Sequence, residues 1–270
     1  MRLGPLQAES WGDPEGFVTF GIPGLSANLR AFDVIAAAVA GPGRRFVSLD
    51  LRGRGLSEVT PPGSYGWESH ARDVVGAADL LAAERFNVVG WSMGAFVSLE
   101  VARQAGDRLD RVALIDAAGP VDEVAHRLVQ LSVDRLDTVH PSLASYLGLV
   151  KGIGTITPWS EYWDRYFAYE LQEVPGGVSS RSRKAAVTED FDYGDRQDAR
   201  TLWPALTMPV LLLRAGRPML AGTGGHVIQP EIRDEFLGAV PQAEFVEIDA
   251  NHYGIAGHPD TAEALRRFFL

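Results

Sequence analysis

The chain of 270 residues contains no cysteine. That absence removes disulfides, thiolate nucleophiles and zinc–sulfur centres together, and it fits a reducing compartment. No apolar run approaches the ~18 residues of a membrane-spanning helix. The opening Met1-Arg2-Leu3-Gly4-Pro5-Leu6 lacks the roughly 7–15-residue apolar centre of a signal peptide. Also missing are blocks of like charge, internal repeats and low-complexity stretches. The formal net charge is −10, so the surface repels phosphate backbones and anionic lipid. These readings predict a cytoplasmic chain with neither nucleic acid nor membrane as partner.

What is present is enough for a sizeable core: 46% of residues are hydrophobic and 22% charged, ordinary for a globular protein. The length fits one large α/β domain or two small ones. Short β-type runs alternate with longer helical patterns. Strands are predicted at Phe17–Ile22, Phe46–Leu49, Phe86–Gly90, Arg111–Ile115, Pro209–Leu213 and Glu244–Ile248. Helices are predicted at Phe32–Ala40, Trp67–Glu84, Met93–Gln104 and Pro259–Leu270. The alternation implies an α/β fold with a mostly parallel central sheet flanked by helices. Residues 121–200 break it, being mostly helical without a convincing strand and interrupted at His140-Pro141, Thr157-Pro158 and Pro175-Gly176-Gly177. This segment reads as a helical cap inserted at the carboxyl edge of the sheet, leaving 1–120 and 201–270 as the core.

Gly90-Trp91-Ser92-Met93-Gly94 stands directly after an apolar run and before a helical pattern. A serine with glycines two positions away on each side, between strand and helix, has the form of a nucleophile elbow. The turn is too tight for flanking side chains, which explains the glycines. The competing reading is a Gly-Ser-Gly turn with no chemistry. In the elbow reading the following helix starts beside the serine, and the Met93 N–H faces a developing oxyanion.

A nucleophilic serine needs a base. Of the six histidines, His252 lies on the loop after the last strand, where the base of this motif falls. His258 opens the last helix and suits local capping, and His226 follows the glycine-rich run Gly222-Thr223-Gly224-Gly225. The acid that orients the histidine is missing from the loop after Pro209–Leu213, which carries none before Glu231. Asp116, ending the strand Arg111–Ile115, is the candidate, with Asp190, Asp192 and Asp249 as alternatives. A second oxyanion donor is expected from Pro23-Gly24-Leu25, after the strand Phe17–Ile22, as the Leu25 N–H.

An aromatic stripe runs through the cap at helical spacing: Trp159, Tyr162, Trp163, Tyr166, Phe167 and Tyr169. Such stripes are commonly packing. Lying over the presumed site, Trp159, Trp163 and Tyr166, with Trp91 from the elbow, are the candidates for an apolar substrate pocket. The turn Arg52–Gly55 reads as structural, its glycines permitting positive φ, and is no phosphate loop, since no Gly-Lys-Ser/Thr follows. His252 and His258 lack a partner at metal-ligand spacing, so neither metal nor cofactor is expected.

With these residues in place the chain resembles the α/β-hydrolase superfamily, in particular cap-bearing serine hydrolases with esterase-like members. Gly90–Gly94 is similar to its elbow, Asp50-Leu51-Arg52-Gly53-Arg54-Gly55-Leu56-Ser57 to its D-x-R-G-x-G-x-S turn, and Asn251-His252-Tyr253 to its base loop. Pro23-Gly24-Leu25 aligns with its His-Gly-x oxyanion segment, but Pro23 stands where the family usually has histidine, so that side chain's supporting bonds are lost. Some members carry the acid after the preceding strand, where Asp116 lies. A serine nucleophile disfavours dehalogenase or epoxide hydrolase chemistry. The resemblance implies hydrolysis of small to medium carboxylic esters or lactones through a Ser-His-Asp triad. C–C bond hydrolysis, perhydrolysis or lyase chemistry could use the same groups, and a non-catalytic binding protein could keep the same fold.

Overall fold

The structure is a computed structural model describing residues 1–222 and 224–270; Thr223, in the glycine-rich run before His226, lies outside them. The strands are β1 (Arg2–Leu3), β2 (Leu6–Gly12), β3 (Phe17–Ile22), β4 (Arg44–Asp50), β5 (Phe86–Trp91), β6 (Leu109–Ile115), β7 (Leu171–Val174), β8 (Gly177–Ser180), β9 (Val210–Ala215) and β10 (Ala243–Ile248). The helices are α1 (Asp33–Val39), α2 (Trp67–Leu80), α3 (Met93–Ala105), α4 (Glu123–Asp134), α5 (Leu143–Ile153), α6 (Glu161–Glu170), α7 (Lys184–Gly194), α8 (Pro230–Ala239) and α9 (Pro259–Phe269).

Eight strands form one sheet in the order β1-β2-β4-β3-β5-β6-β9-β10. Pairings of β2 with β1 and β4 are antiparallel, and the rest are parallel. Central strands read as continuous apolar runs because both faces are covered. Val88, Val112, Leu114, Val210 and Leu212 pack into one apolar layer, while Val89, Ala113, Ile115, Leu211 and Leu213 pack into the other. Residues of α2, α3 and α8 fill the first layer, and those of α1 and α9 the second.

The chain leaves β3 toward β4 and returns to lay β5 on β3's other side, with Ile22 opposite Gly90. The carboxyl ends of β3 and β5 therefore open a crevice at the point where the strand order reverses, the place where open α/β sheets bind ligands. The turn after β4 is structural: the Asp50 carboxylate accepts N–H bonds from Leu29 (2.8 Å) and Leu56 (2.9 Å) and the Tyr169 O–H (2.6 Å). Burial raises the Asp50 pKa above the ordinary carboxylate value, against the pull of those bonds.

Residues between β6 and β9 hold α4 to α7, but the expectation of no strand there is corrected. β7 and β8 pair as an antiparallel hairpin across Pro175 and Gly176, with Gly176 and the first β8 residue, Gly177, both at positive φ. Four-residue strands are too short to display a period of two, and the Pro-Gly-Gly break is their turn. The N-terminal strands β1 and β2 and helix α8 also lie outside the predicted elements. Each of these has a thin apolar signal: α8 fully buries only Phe236. Among the described residues no helix is long and apolar enough to cross a membrane.

Candidate active site

Ser92 links β5 to α3 with φ 58° and ψ −125°, a backbone region that costs a non-glycine residue about 1–3 kcal/mol. Its N–H donates to the Ile115 carbonyl at 2.9 Å, which ties the turn to β6. The flanking glycines are demanded by contact. A Cβ on Gly90 would sit 2.0 Å from the Gly94 carbonyl oxygen, and one on Gly94 would sit 1.9 Å from that of Ile22. Gly94→Ala is therefore expected to cost about 3 kcal/mol or more, since backbone cannot yield as a side-chain tip can. The melting temperature should drop by roughly 6–12 °C, measured by thermal unfolding; an unchanged Tm would show that α3 can slide at no cost.

His252 Nε2 lies 3.0 Å from Ser92 Oγ, and His252 Nδ1 lies 2.8 Å from Asp116 Oδ2. An ionised carboxylate only accepts, so Nδ1 carries the proton and Nε2 is free to accept from the serine hydroxyl. Asp116 is 1% exposed, and it too has a positive φ, 50°. Its N–H donates to the Leu213 carbonyl, and its Oδ1 accepts the Ala215 N–H at 2.9 Å. The strand end that lacks an acid thus supplies the amide that aims the acid from the neighbouring strand. Of the alternatives, Asp249 pairs with Arg217 at the surface, and Asp190 lies beside Arg54 and His70. His258 caps α9, its Nδ1 accepting the Asp260 N–H.

The loop carrying His252 is braced from three sides. Asn251 Nδ2 donates to the carbonyls of Thr155 (2.6 Å) and Met219 (3.2 Å), and its Oδ1 accepts the Gly254 N–H. The Trp91 indole N–H donates to the His252 carbonyl at 3.1 Å.

Met93 N–H stands at the start of the thirteen-residue α3, where helix geometry leaves it without an intrahelical partner. Leu25 N–H follows Gly24, whose backbone passes so close that a Cβ there would lie 3.5 Å from Ser92 Oγ. Among the described residues neither N–H donates to another backbone carbonyl outside its own element.

Two cavities meet at Ser92 and His252. The first, about 280 Å³, has walls from Trp67, Met93, Phe96, Phe191 and Val227, with His126, Asp190, Asp195 and Gln197 among its polar members. The second, about 450 Å³, is walled by Trp91, Leu128, Val150, Ile156, Trp163 and Tyr166. Burial pushes the Tyr166 phenol far above its ordinary pKa, so that wall is neutral. Trp91, Trp163 and Tyr166 border this second cavity. Trp159 is corrected: it lines neither cavity, stacks on Phe167 and donates to Asp164 Oδ1 at 3.0 Å. It precedes α6, which starts at Glu161, so its helical spacing to Trp163 is not a shared helix face. His126, which meets Asp195 at 2.7 Å, is a cavity residue that sequence reading passed over. Its partner is 69 positions away, so no local signal marks it.

A family model described as alpha/beta hydrolase fold matches residues 21–259. The N-formylmaleamate deformylase of Pseudomonas putida (strain KT2440) is 26% identical over 249 residues, covering 92% of this chain and 84% of that protein. Esterase YbfF of Escherichia coli (strain K12) is 30% identical over 257 residues, covering 92% and 91%. The crystal structure of E-2-(acetamidomethylene)succinate hydrolase superposes with a TM-score of 0.85 at 21% identity, covering 97% of this chain and 94% of that one. With a serine turn at the crevice of a mostly parallel sheet and a match running from β3 to the start of α9, the chain belongs to the α/β-hydrolase fold family.

Proposed function

We propose that this protein is a serine hydrolase of small to medium, uncharged carboxylic esters. The observation that carries the reading is the alignment of Ser92 Oγ, His252 and Asp116 at 3.0 and 2.8 Å. In this scheme His252 Nε2 takes the hydroxyl proton as Ser92 attacks the ester carbonyl. The Leu25 and Met93 N–H groups receive the oxyanion, and His252 returns the proton to the departing alcohol. Water, activated by the same histidine, then releases the acid. Residues 121–200 act as the cap, supplying α4, α5 and α6 side chains to the cavity walls.

The preference for a neutral substrate rests on the linings. The first cavity has no Arg or Lys among its described residues, and Asp190 and Asp195 are both there. In the second, the one arginine is Arg135, which is engaged with Glu170 and Tyr146. An anionic substrate would find no unengaged arginine or lysine among the described residues of either lining, and its charge would stay unpaired. Hydrolysis of an amide is the second reading, favoured by the deformylase relative that spans 92% of the chain.

The test compares p-nitrophenyl hexanoate with mono-p-nitrophenyl adipate, equal in length but ending in a carboxylate. The neutral ester should have the higher kcat/KM by at least about tenfold, the ratio for ~1.4 kcal/mol of charge penalty. Equal rates would overturn the neutral preference. Ester inertness combined with fluorophosphonate labelling of Ser92 would shift the reading to amides, to be checked with N-acyl anilides.

A further inference from the structure

The turn after β4 carries a buried cation that the hydrolysis scheme leaves without a task. Arg54 is 0% exposed. Its guanidinium is divided among three elements: Nε donates to the Leu25 carbonyl at 2.9 Å, Nη1 to the Arg52 carbonyl at 3.0 Å, and Nη2 lies 2.6 Å from Asp190 Oδ2. Asp190, on α7, also accepts the Gly66 N–H at 2.5 Å and meets His70 Nε2 at 2.9 Å. Burial by itself would raise the Asp190 pKa, but His70 and Arg54 outweigh it and hold the carboxyl below its ordinary range. A buried guanidinium is tolerated only with its counter-charge in place. Arg54 can therefore keep its orientation only while α7 is seated.

The Leu25 carbonyl belongs to the same residue as the second oxyanion donor. Pro23, two positions earlier, has no N–H with which to brace the loop, and Gly24 stiffens it least of all residues. Further ties come from the same side: Ser182 Oγ donates to the Ser26 carbonyl at 3.1 Å, and the Arg183 N–H to that of Gly53 at 2.9 Å. Every one of these ties runs from residues 182–190, directly or through Arg54, to the donor loop or the turn beside it.

We propose that Arg54, anchored by Asp190, is a positioning residue that holds the Leu25 N–H in register with Ser92, so that the oxyanion site is complete only when α7 is docked. The inference rests on the Ser92 hydrolase reading, and it gives the cap segment a task beyond covering the cavity.

Arg54→Lys separates this role from charge pairing. A lysine ammonium can still face Asp190, but it has no planar fork to serve Asp190 and the Leu25 carbonyl together. On p-nitrophenyl hexanoate, kcat should fall about 10–100-fold, the cost of a small misplacement of one donor, with KM changed less than about twofold. Affinity for a trifluoromethyl ketone, which forms a hemiketal oxyanion on Ser92, should fall in parallel. Exchange of the Ala27 amide, which donates to the Gly24 carbonyl at 3.2 Å, should quicken by about tenfold more than that of the central β5 and β6 amides, which report the global loss from the stranded Leu25 and Arg52 carbonyls. Asp190→Asn, nearly the same shape without the charge, should show the same split and serves if the lysine variant does not fold. Unchanged Ala27 exchange in a folded variant, or kcat lost together with KM while ketone affinity stays constant, would overturn the proposal. Exchange is independent of turnover. Faster Ala27 exchange in a protein that hydrolyses no ester would therefore retain Arg54's hold on the loop and sink the esterase reading alone.

Discussion

Ser92→Ala is expected to lower kcat/KM for a p-nitrophenyl ester by about 10⁴- to 10⁶-fold, the range seen when a serine nucleophile is removed from a working triad. The loss is large because His252 then has no oxygen to activate at 3.0 Å from its Nε2. Water admitted in its place lacks the fixed position of a side chain on a strained turn. A residue of rate over solution should survive, since the Leu25 and Met93 N–H groups remain. Stability should change by less than about 1 kcal/mol, because one partly exposed hydrogen bond is lost. Ser92→Gly makes the companion measurement. It is equally inactive, but glycine accepts φ 58° without penalty, so Tm should rise by a few degrees as part of the roughly 1–3 kcal/mol of strain is released. Retention of more than about 1% of activity by either variant would show that another group is the nucleophile.

Asp116→Asn should reduce kcat by about 10⁴-fold while the protein stays folded. The surroundings of the carboxylate explain why so small a change is so damaging. Ala215 N–H donates to Oδ1, so an asparagine at 116 must turn its carbonyl oxygen toward that amide. Its NH₂ then occupies the place of Oδ2 and donates to His252 Nδ1, at the position now 2.8 Å away. Donation to Nδ1 puts the ring proton on Nε2, and the serine hydroxyl loses its acceptor. Asp116→Ala leaves His252 free to choose its tautomer but strands the buried Ala215 N–H. It should therefore lose at least about 1 kcal/mol more stability than the asparagine variant while keeping more of kcat. Kinetics and thermal unfolding on both variants decide it: kcat of Asp116→Asn within tenfold of wild type means that the acid lies elsewhere.

The two predictions sit on different kinds of information in the chain. The turn around Ser92 is legible locally, because the contacts that require Gly90 and Gly94 arise within a few residues of the serine or on the adjoining strand. The apolar runs that become β3, β5, β6 and β9 are equally legible. Strands covered on both faces must be apolar at every position, and α2, α3 and α9 show the complementary helical spacing. His252 and Asp116 are legible as candidates through their places after particular strands. The meeting of two residues 136 positions apart is a matter of strand order, and strand order is written in no local pattern.

The aromatic stripe marks the limit of periodicity. Trp159, Trp163 and Tyr166 share a spacing, yet Trp163 and Tyr166 border a cavity while Trp159 stacks on Phe167. Trp159 lies before α6 begins at Glu161, so where the helix starts, and not spacing alone, decides which rings share a face. Arg54, read from sequence as part of a structural turn, shows the same limit from the polar side. A buried arginine is intelligible only once Asp190, itself held by His70 120 positions earlier, is seen to face it. By itself, then, the sequence determined the mostly parallel sheet, the serine turn and the candidate partners, because sterics and burial act on each short segment. Only the tertiary structure decided which carboxylate faces His252, which aromatic residues border the cavities and which buried charges meet at the Leu25 loop, because those depend on distances between segments that the chain order leaves open.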